Sequence, residues 1–190
     1  MGTEEAHRQF RDVFWPQLPV VLRTAQILCG GDVPDAEDLA QETMIKAFRA
    51  MDRFEPGTDA RKWLLAILRN ARIDRLRSKA GSEHLVSLDA LPQEPEDRRP
   101  AAENDESFHT NPQEVLESFS DRQMIEAMQG LPEEIRWTLL LVDVQGLDHR
   151  VAAEVLEVPV GTIKSRASRG RALLRSALLP IARERRVVRD

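Results

Sequence analysis

Residues 148–175 read DHRVAAEVLEVPVGTIKSRASRGRALLR. Val151, Ala152, Val155 and Leu156 give a short helix one apolar face, and Glu157-Val158-Pro159 makes a tight turn with proline where a new helix can begin. In the segment that follows, Ile163, Ala167, Gly170 and Leu174 recur at i, i+4, i+7 and i+11, so they face inward. Lys164, Ser165, Ser168, Arg169, Arg171 and Arg175 then face out or flank that stripe. Two helices, a tight turn and a basic second helix make a helix-turn-helix, whose second helix can enter the major groove of DNA. A merely solvated face mixes charge signs, whereas no acid occurs from Val158 to Ser176.

Working back along the chain, the periodicity predicts helices at about 113–129, 132–145, 148–156 and 160–178. Before them, residues 80–112 hold four prolines, little hydrophobic periodicity and most of the acidic excess, the composition of a linker. The chain therefore divides into 1–79 and 113–190. In the first part, Asp35 is a candidate N-cap, with Glu37 and Asp38 placed to complement the helix dipole. Ala40, Met44, Ala47, Phe48 and Met51 form one buried stripe, and Asp38, Gln41, Glu42, Ile45 and Arg49 occupy the other face. A further helix is expected over about 60–79, with Trp63, Leu64, Ile67, Leu68 and Ala71 inward. An earlier one runs from about Glu4 to Cys29, broken near Pro16 and Pro19.

Composition agrees with this reading. The 190 residues are 42% hydrophobic but only 5% aromatic and lack tyrosine, which disfavours large β-sandwiches and barrels. The expected architecture is all-α: two small helical domains joined by a flexible acidic linker. Cys29 is the one cysteine, so no intramolecular disulfide forms, and the four histidines show no metal-ligand spacing. No secretory leader and no membrane-spanning apolar run is evident, so a cytoplasmic location is expected. No cofactor is implied.

The net charge of -5 conceals a strong segregation. From Asp59 to Lys79 there are seven basic residues against Asp59 and Asp74, and from Gly161 to Arg175 there are five and no acid. Between Glu83 and Asp121 eleven acids face only Arg98 and Arg99. Two basic islands are thus separated by an acidic stretch, and from composition alone the first can also be a solvated basic face.

The string DAEDLAQETMIKAFRAMDRF, followed by GTDARKWLLAILRNARIDRLRSK, resembles region 2 of bacterial sigma factors of the extracytoplasmic function type. LPEEIRWTLLLVDVQGLDHRVAAEVLEVPVGTIKSRASRGRALLR resembles their region 4, in the family's order. The resemblance implies that the helix from Asp35 docks on the coiled coil of the largest subunit of core RNA polymerase. Asp35, Glu37, Asp38, Gln41 and Glu42 would supply an acidic patch, with Leu39 and Ile45 as apolar contacts. It implies that the segment to Lys79 opens and reads the minus-ten element. Asn70 matches the family's base-capture asparagine, and Lys62, Arg69, Arg72, Arg75 and Lys79 are candidate DNA contacts. It further implies that Lys164, Ser165, Arg166, Ser168, Arg169 and Arg171 read the minus-thirty-five element of promoter DNA, and that an anti-sigma factor is a partner.

The function expected is therefore that of a sigma factor, which binds core polymerase, recognises promoters and helps melt them, and is not itself an enzyme. The alternative is an autonomous helix-turn-helix regulator, usually a symmetric dimer on a palindrome, but no dimerisation helix is evident. A nucleic-acid enzyme is disfavoured by the lack of a phosphate-binding glycine loop and of a recognisable nucleophile and base pairing.

Overall fold

Helices in this chain start where an aspartate or a proline suits the first turn. The computed structural model describes residues 3–55, 57–80 and 121–184, and among these no strand occurs. The linker expected at 80–112 and the first turns of the helix expected from 113 lie almost wholly outside the described residues, as does the side chain of Lys79.

Helix α1 (Thr3–Gln9) passes through a π-helical turn (Phe10–Phe14) and a 3-10 turn (Trp15–Gln17) into α2 (Leu18–Leu28). Pro16 and Pro19 open new segments, where a missing amide leaves no bond unmade. The next helix, α3 (Val33–Arg49), is capped by Asp32 and not by Asp35 as expected: the Asp32 carboxylate accepts the Asp35 amide at 3.0 Å. Pro34 is the reason, because its fixed φ and missing amide suit the first turn of the helix. Helix α4 (Ala60–Ala80) is capped by Asp59, which accepts the amides of Arg61 at 2.9 Å and Lys62 at 3.3 Å.

In the second half, α5 (Asp121–Gln129) precedes α6 (Glu133–Leu139), which continues as a π-helical turn (Leu140–Val144). Helix α7 (His149–Leu156) is capped by Asp148, whose carboxylate accepts the Arg150 amide at 2.8 Å. Helix α8 (Val160–Glu184) runs beyond the expected end at 178 and includes Pro180. The turn between α7 and α8 places Glu157 in the left-handed region, with φ 56°. The inward positions of α8 are as expected, with Ile163, Ala167 and Gly170 buried and Leu174 partly so.

Phe14, fully buried, forms a cluster with Phe54 and Trp63 at ring-centroid distances of 4.9 and 5.1 Å, the latter two being 5.2 Å apart, and Leu64, Leu68 and Ala71 of α4 are buried as well. Trp63 is thus a core-packing residue. Phe48 departs from the expected stripe: it is partly exposed and stacks on His7, with centroids 5.3 Å apart.

The two halves pack against each other, and one hydrophobic core runs through both. The Gln129 side-chain amide donates to the Ile27 carbonyl, and that of Gln145, buried, donates to Thr24 Oγ1 at 3.0 Å. At Gly31, with φ +84°, a Cβ would stand 3.6 Å from a methyl of Ile125 on α5. Glycine thus supplies both the turn after α2 and a close seat for the second half.

Candidate functional site

The exposed face of α3 is a shallow, mixed-charge depression lined by Asp38, Gln41, Glu42, Ile45, Lys46, Arg49 and Arg75. Glu37, Asp38, Gln41 and Ile45 are exposed, as the sequence suggests, and Asp35 and Glu42 are half-buried. Leu39 is not a surface contact. It is 0% exposed because it sits on the core side of α3, where its carbonyl accepts the Thr43 hydroxyl at 2.8 Å. Cations reach into this face from two directions: Arg75 Nε donates to Glu42 at 2.8 Å, and Lys46 lies 2.9 Å from both Glu42 and Asp74. Burial alone would raise the Glu42 carboxyl, but the hydrogen bonds from Arg75 and Lys46 outweigh it and hold it below the ordinary carboxylate range. Asp38, by contrast, is exposed.

Arg75, expected among the DNA contacts, turns instead to α3. Its Nη1 lies 3.3 Å from both the carbonyl and the carboxylate of Asp35. Its position on α4 carries it past the buried Leu68 and Ala71 line toward the acidic helix, so Coulomb attraction fixes it there.

Helix α4 places Lys62, Leu65, Arg69 and Arg72 at i, i+3, i+7 and i+10, a single stripe. Asn70 beside this stripe is exposed, and its amide oxygen accepts from Arg69 Nη1 at 3.5 Å. Leu65, not among the expected inward residues, is 0% exposed. The stripe's cations face the second half of the chain: Lys62 pairs with Glu154, Arg69 lies 3.8 Å from Glu157, and Arg72 lies 3.6 Å from Glu133. The contributing glutamates carried no signal in the sequence, since their partners lie sixty or more positions away and follow no local spacing.

On α8, Lys164, Ser165, Ser168 and Arg169 are exposed and Arg166 is half-buried, an outward ridge beside the Ile163 and Ala167 line. Ser165 Oγ donates to the Thr162 carbonyl at 3.0 Å. Arg171 is exposed but held in a two-point bond to Asp143, at 3.1 and 2.7 Å. Hydrogen bonding to Asp143 raises its pKa above the ordinary arginine value despite partial burial. It therefore pins α8 to the turn after α6, a structural job the sequence reading did not anticipate.

Residues 17–81 match the family model for Sigma-70 region 2, and residues 121–174 match that for Sigma-70 region 4. The chain is 31% identical over 159 residues to the ECF RNA polymerase sigma-E factor of Escherichia coli K12, covering 80% of this chain and 77% of that protein. The chain belongs to the ECF sigma factors. It is also 35% identical over 149 residues to the ECF RNA polymerase sigma factor SigE of Mycolicibacterium smegmatis, of whose length the matched segment spans 53%. Among solved structures, the sigma factor RpoE in complex with the anti-sigma factor NepR from Bartonella quintana superposes with a TM-score of 0.68 at 27% identity, covering 90% of this chain and 97% of that one. The structure of CnrH in complex with the cytosolic domain of CnrY shares the fold, with a TM-score of 0.61 at 24% identity, covering 92% and 90%. As a sigma factor the chain directs transcription initiation, and an autonomous regulator is not favoured. Among the described residues of this sigma factor, no helix is long and apolar enough to cross a membrane.

Proposed function

We propose that this sigma factor docks on core RNA polymerase through α3, holds the opened minus-ten strand on α4 and reads the minus-thirty-five duplex through α8. Residues 1–79 would form the polymerase-binding and melting module, 80–112 the acidic linker and 113–190 the duplex-reading module. The observation that carries this reading is the separation of surfaces. Exposed Glu37, Asp38, Gln41 and Ile45 share the outer side of α3, whereas the α4 cation stripe with Asn70, and the α8 ridge, stand elsewhere. Docking suits a face that offers acids to a basic surface; strand capture suits cations beside an amide that can both donate to and accept from a base edge. Leu39, Arg75 and Arg171 are assigned to support and not to contact.

The chain would act in the cytoplasm as a specificity subunit and not as a catalyst. The Bartonella quintana sigma factor RpoE is bound to the anti-sigma factor NepR, which supports an anti-sigma partner for this chain too.

Run-off transcription with purified core polymerase, with and without the chain, tests the reading as a whole: promoter-dependent product should require the chain. Within it, Asp38→Lys should weaken core binding about tenfold, mainly by slowing association, and leave helical content intact because the side chain is exposed. Glu42→Lys is a poorer probe, since it also breaks the bonds to Arg75 and Lys46. Unchanged affinity of the Asp38 variant in a titration with core enzyme would remove α3 as the docking face.

Asn70→Ala should leave core binding near normal but reduce open-complex formation by about tenfold, the effect of about 1.4 kcal/mol of hydrogen bonding made only to an unpaired base. Permanganate reactivity of thymines across the bubble measures it. Equal reactivity with the wild type would count against base capture at Asn70.

A further inference from the structure

On the side of α4 away from the glutamate-paired cations, Asn70, Asp74 and Arg77 recur at i, i+4 and i+7, and all three are exposed. Asp74 is the one acid within α4, a helix otherwise rich in cations. An uncompensated carboxylate here would repel the phosphates that the proposed function brings to this helix. Lys46 of α3 offsets it: Nζ donates to Asp74 Oδ2 at 2.9 Å, and the same ammonium lies 2.9 Å from Glu42. The hydrogen bond to Asp74, then that to Glu42, raises the Lys46 pKa above its ordinary value, so the ammonium stays charged. Asp74 is thus compensated and fixed through one oxygen, with its side chain still 60% exposed. Held this way, the carboxylate offers acceptors and no donor.

We propose that Asp74, anchored by Lys46, is a specificity-determining residue of the minus-ten contact, where its Oδ1 accepts from the exocyclic amine of a cytosine or an adenine. The inference rests on the assignment of α4 to the minus-ten strand and of Asn70 to base capture. Cytosine N4 and adenine N6 donate where guanine O6 and thymine O4 accept, so a carboxylate attracts the first pair of bases and repels the second. Each amine keeps a hydrogen beyond the one used in base pairing, and the contact is therefore open to a paired or an unpaired base. An amide such as Asn70 both donates and accepts; the carboxylate imposes a sign. Asn70 and Asp74 stand about 6 Å apart along the helix axis, and stacked bases rise about 3.4 Å. For a strand running along α4, Asp74 then reads a base about two steps from the one that Asn70 takes. Arg77, a turn further on, is placed for a backbone phosphate.

The test uses holoenzyme assembled from core polymerase and the full chain, as wild type, Asp74→Asn, Asp74→Ala and Asn70→Ala. Each is offered duplexes with a central bubble whose non-template strand is random, and the bound DNA is sequenced. Base ratios within one selection do not depend on how much holoenzyme forms, so a change in core binding does not enter. Asp74→Asn keeps the side-chain shape, and the exposed ion pair it loses contributes little to stability. Wild type should enrich cytosine or adenine over guanine and thymine about tenfold at one position, about two bases from the position that Asn70→Ala flattens. Both Asp74 variants should bring that ratio below about twofold and leave the Asn70 position as in wild type. Unchanged ratios in the Asp74 variants, or a loss spread evenly over all positions, overturn the role of Asp74; if Asn70→Ala still flattens one position, base capture by α4 stands. If Asn70→Ala flattens no position, the base-capture reading falls and the inference falls with it.

Discussion

Gly170→Val should unfold the duplex-reading module and abolish minus-thirty-five binding. A Cβ at this position would stand 2.7 Å from Ile135 Cγ2 and 3.0 Å from both Leu139 Cγ and Cδ1. Ile135 and Leu139 are themselves buried, so neither side chain has free space to enter. The glycine therefore sets how closely α6 and α8 approach, and any added carbon must push the helices apart or force the isoleucine and leucine off their rotamers. Alanine should cost about 1–3 kcal/mol and valine more, by overpacking. Thermal unfolding followed by circular dichroism should show the midpoint falling from glycine to alanine to valine, by about 4–8 °C per kcal/mol for a module of this size. Duplex binding should be lost in the same order. A midpoint that alanine does not move would show that α8 can slide without loss, and that glycine here is not required by packing.

Arg136→Ala should destabilise the same module by about 3–4 kcal/mol through a different cause. The Arg136 guanidinium is buried and donates from Nε to the Met128 carbonyl, and from Nη2 to the carbonyls of Gln129 and Leu131, each at 2.9 Å. These are acceptors at the C-terminal end of α5 and in the turn that follows, where a helix has no donors of its own. Burial lowers the arginine's pKa from its ordinary value, yet a guanidinium keeps its proton, so the site holds a charge that the three carbonyls must stabilise. Arg136→Met fills much of the same space and offers no donor; its midpoint should fall nearly as far as that of alanine, which separates lost bonds from lost packing. Gln129 also donates to Ile27, so loosening the end of α5 should weaken its seat on the first half. Near-wild-type stability of the methionine variant would assign Arg136 to packing alone.

Much of the architecture is legible from local pattern. The Ile163, Ala167, Gly170 and Leu174 stripe is buried or partly buried as its spacing requires, and the Ala40, Met44, Ala47 and Met51 line faces the core. These readings work because helical periodicity ties sequence spacing directly to angular position. Boundaries are less secure, since neighbouring residues compete for the same role: Asp32 and Asp35 are both good caps, and Pro34 decides between them by fitting only inside the first turn. Leu39 shows a similar limit. The family resemblance implied a surface contact there, but the core stripe of α3 is wide enough to include it.

The sequence by itself determined the helical class, the helix-turn-helix, the basic islands and the strings that match both sigma regions, because each depends on residues close together in the chain. Only the tertiary structure decided what each cation does. Arg75 turns to Glu42 and Asp35, Arg171 is pinned by Asp143, and Lys62, Arg69 and Arg72 meet glutamates of the other half. Periodicity states which way a side chain leaves its helix. It does not state which distant element, acidic or otherwise, is packed there to receive it, and Coulomb attraction is settled by that neighbour across a few ångströms.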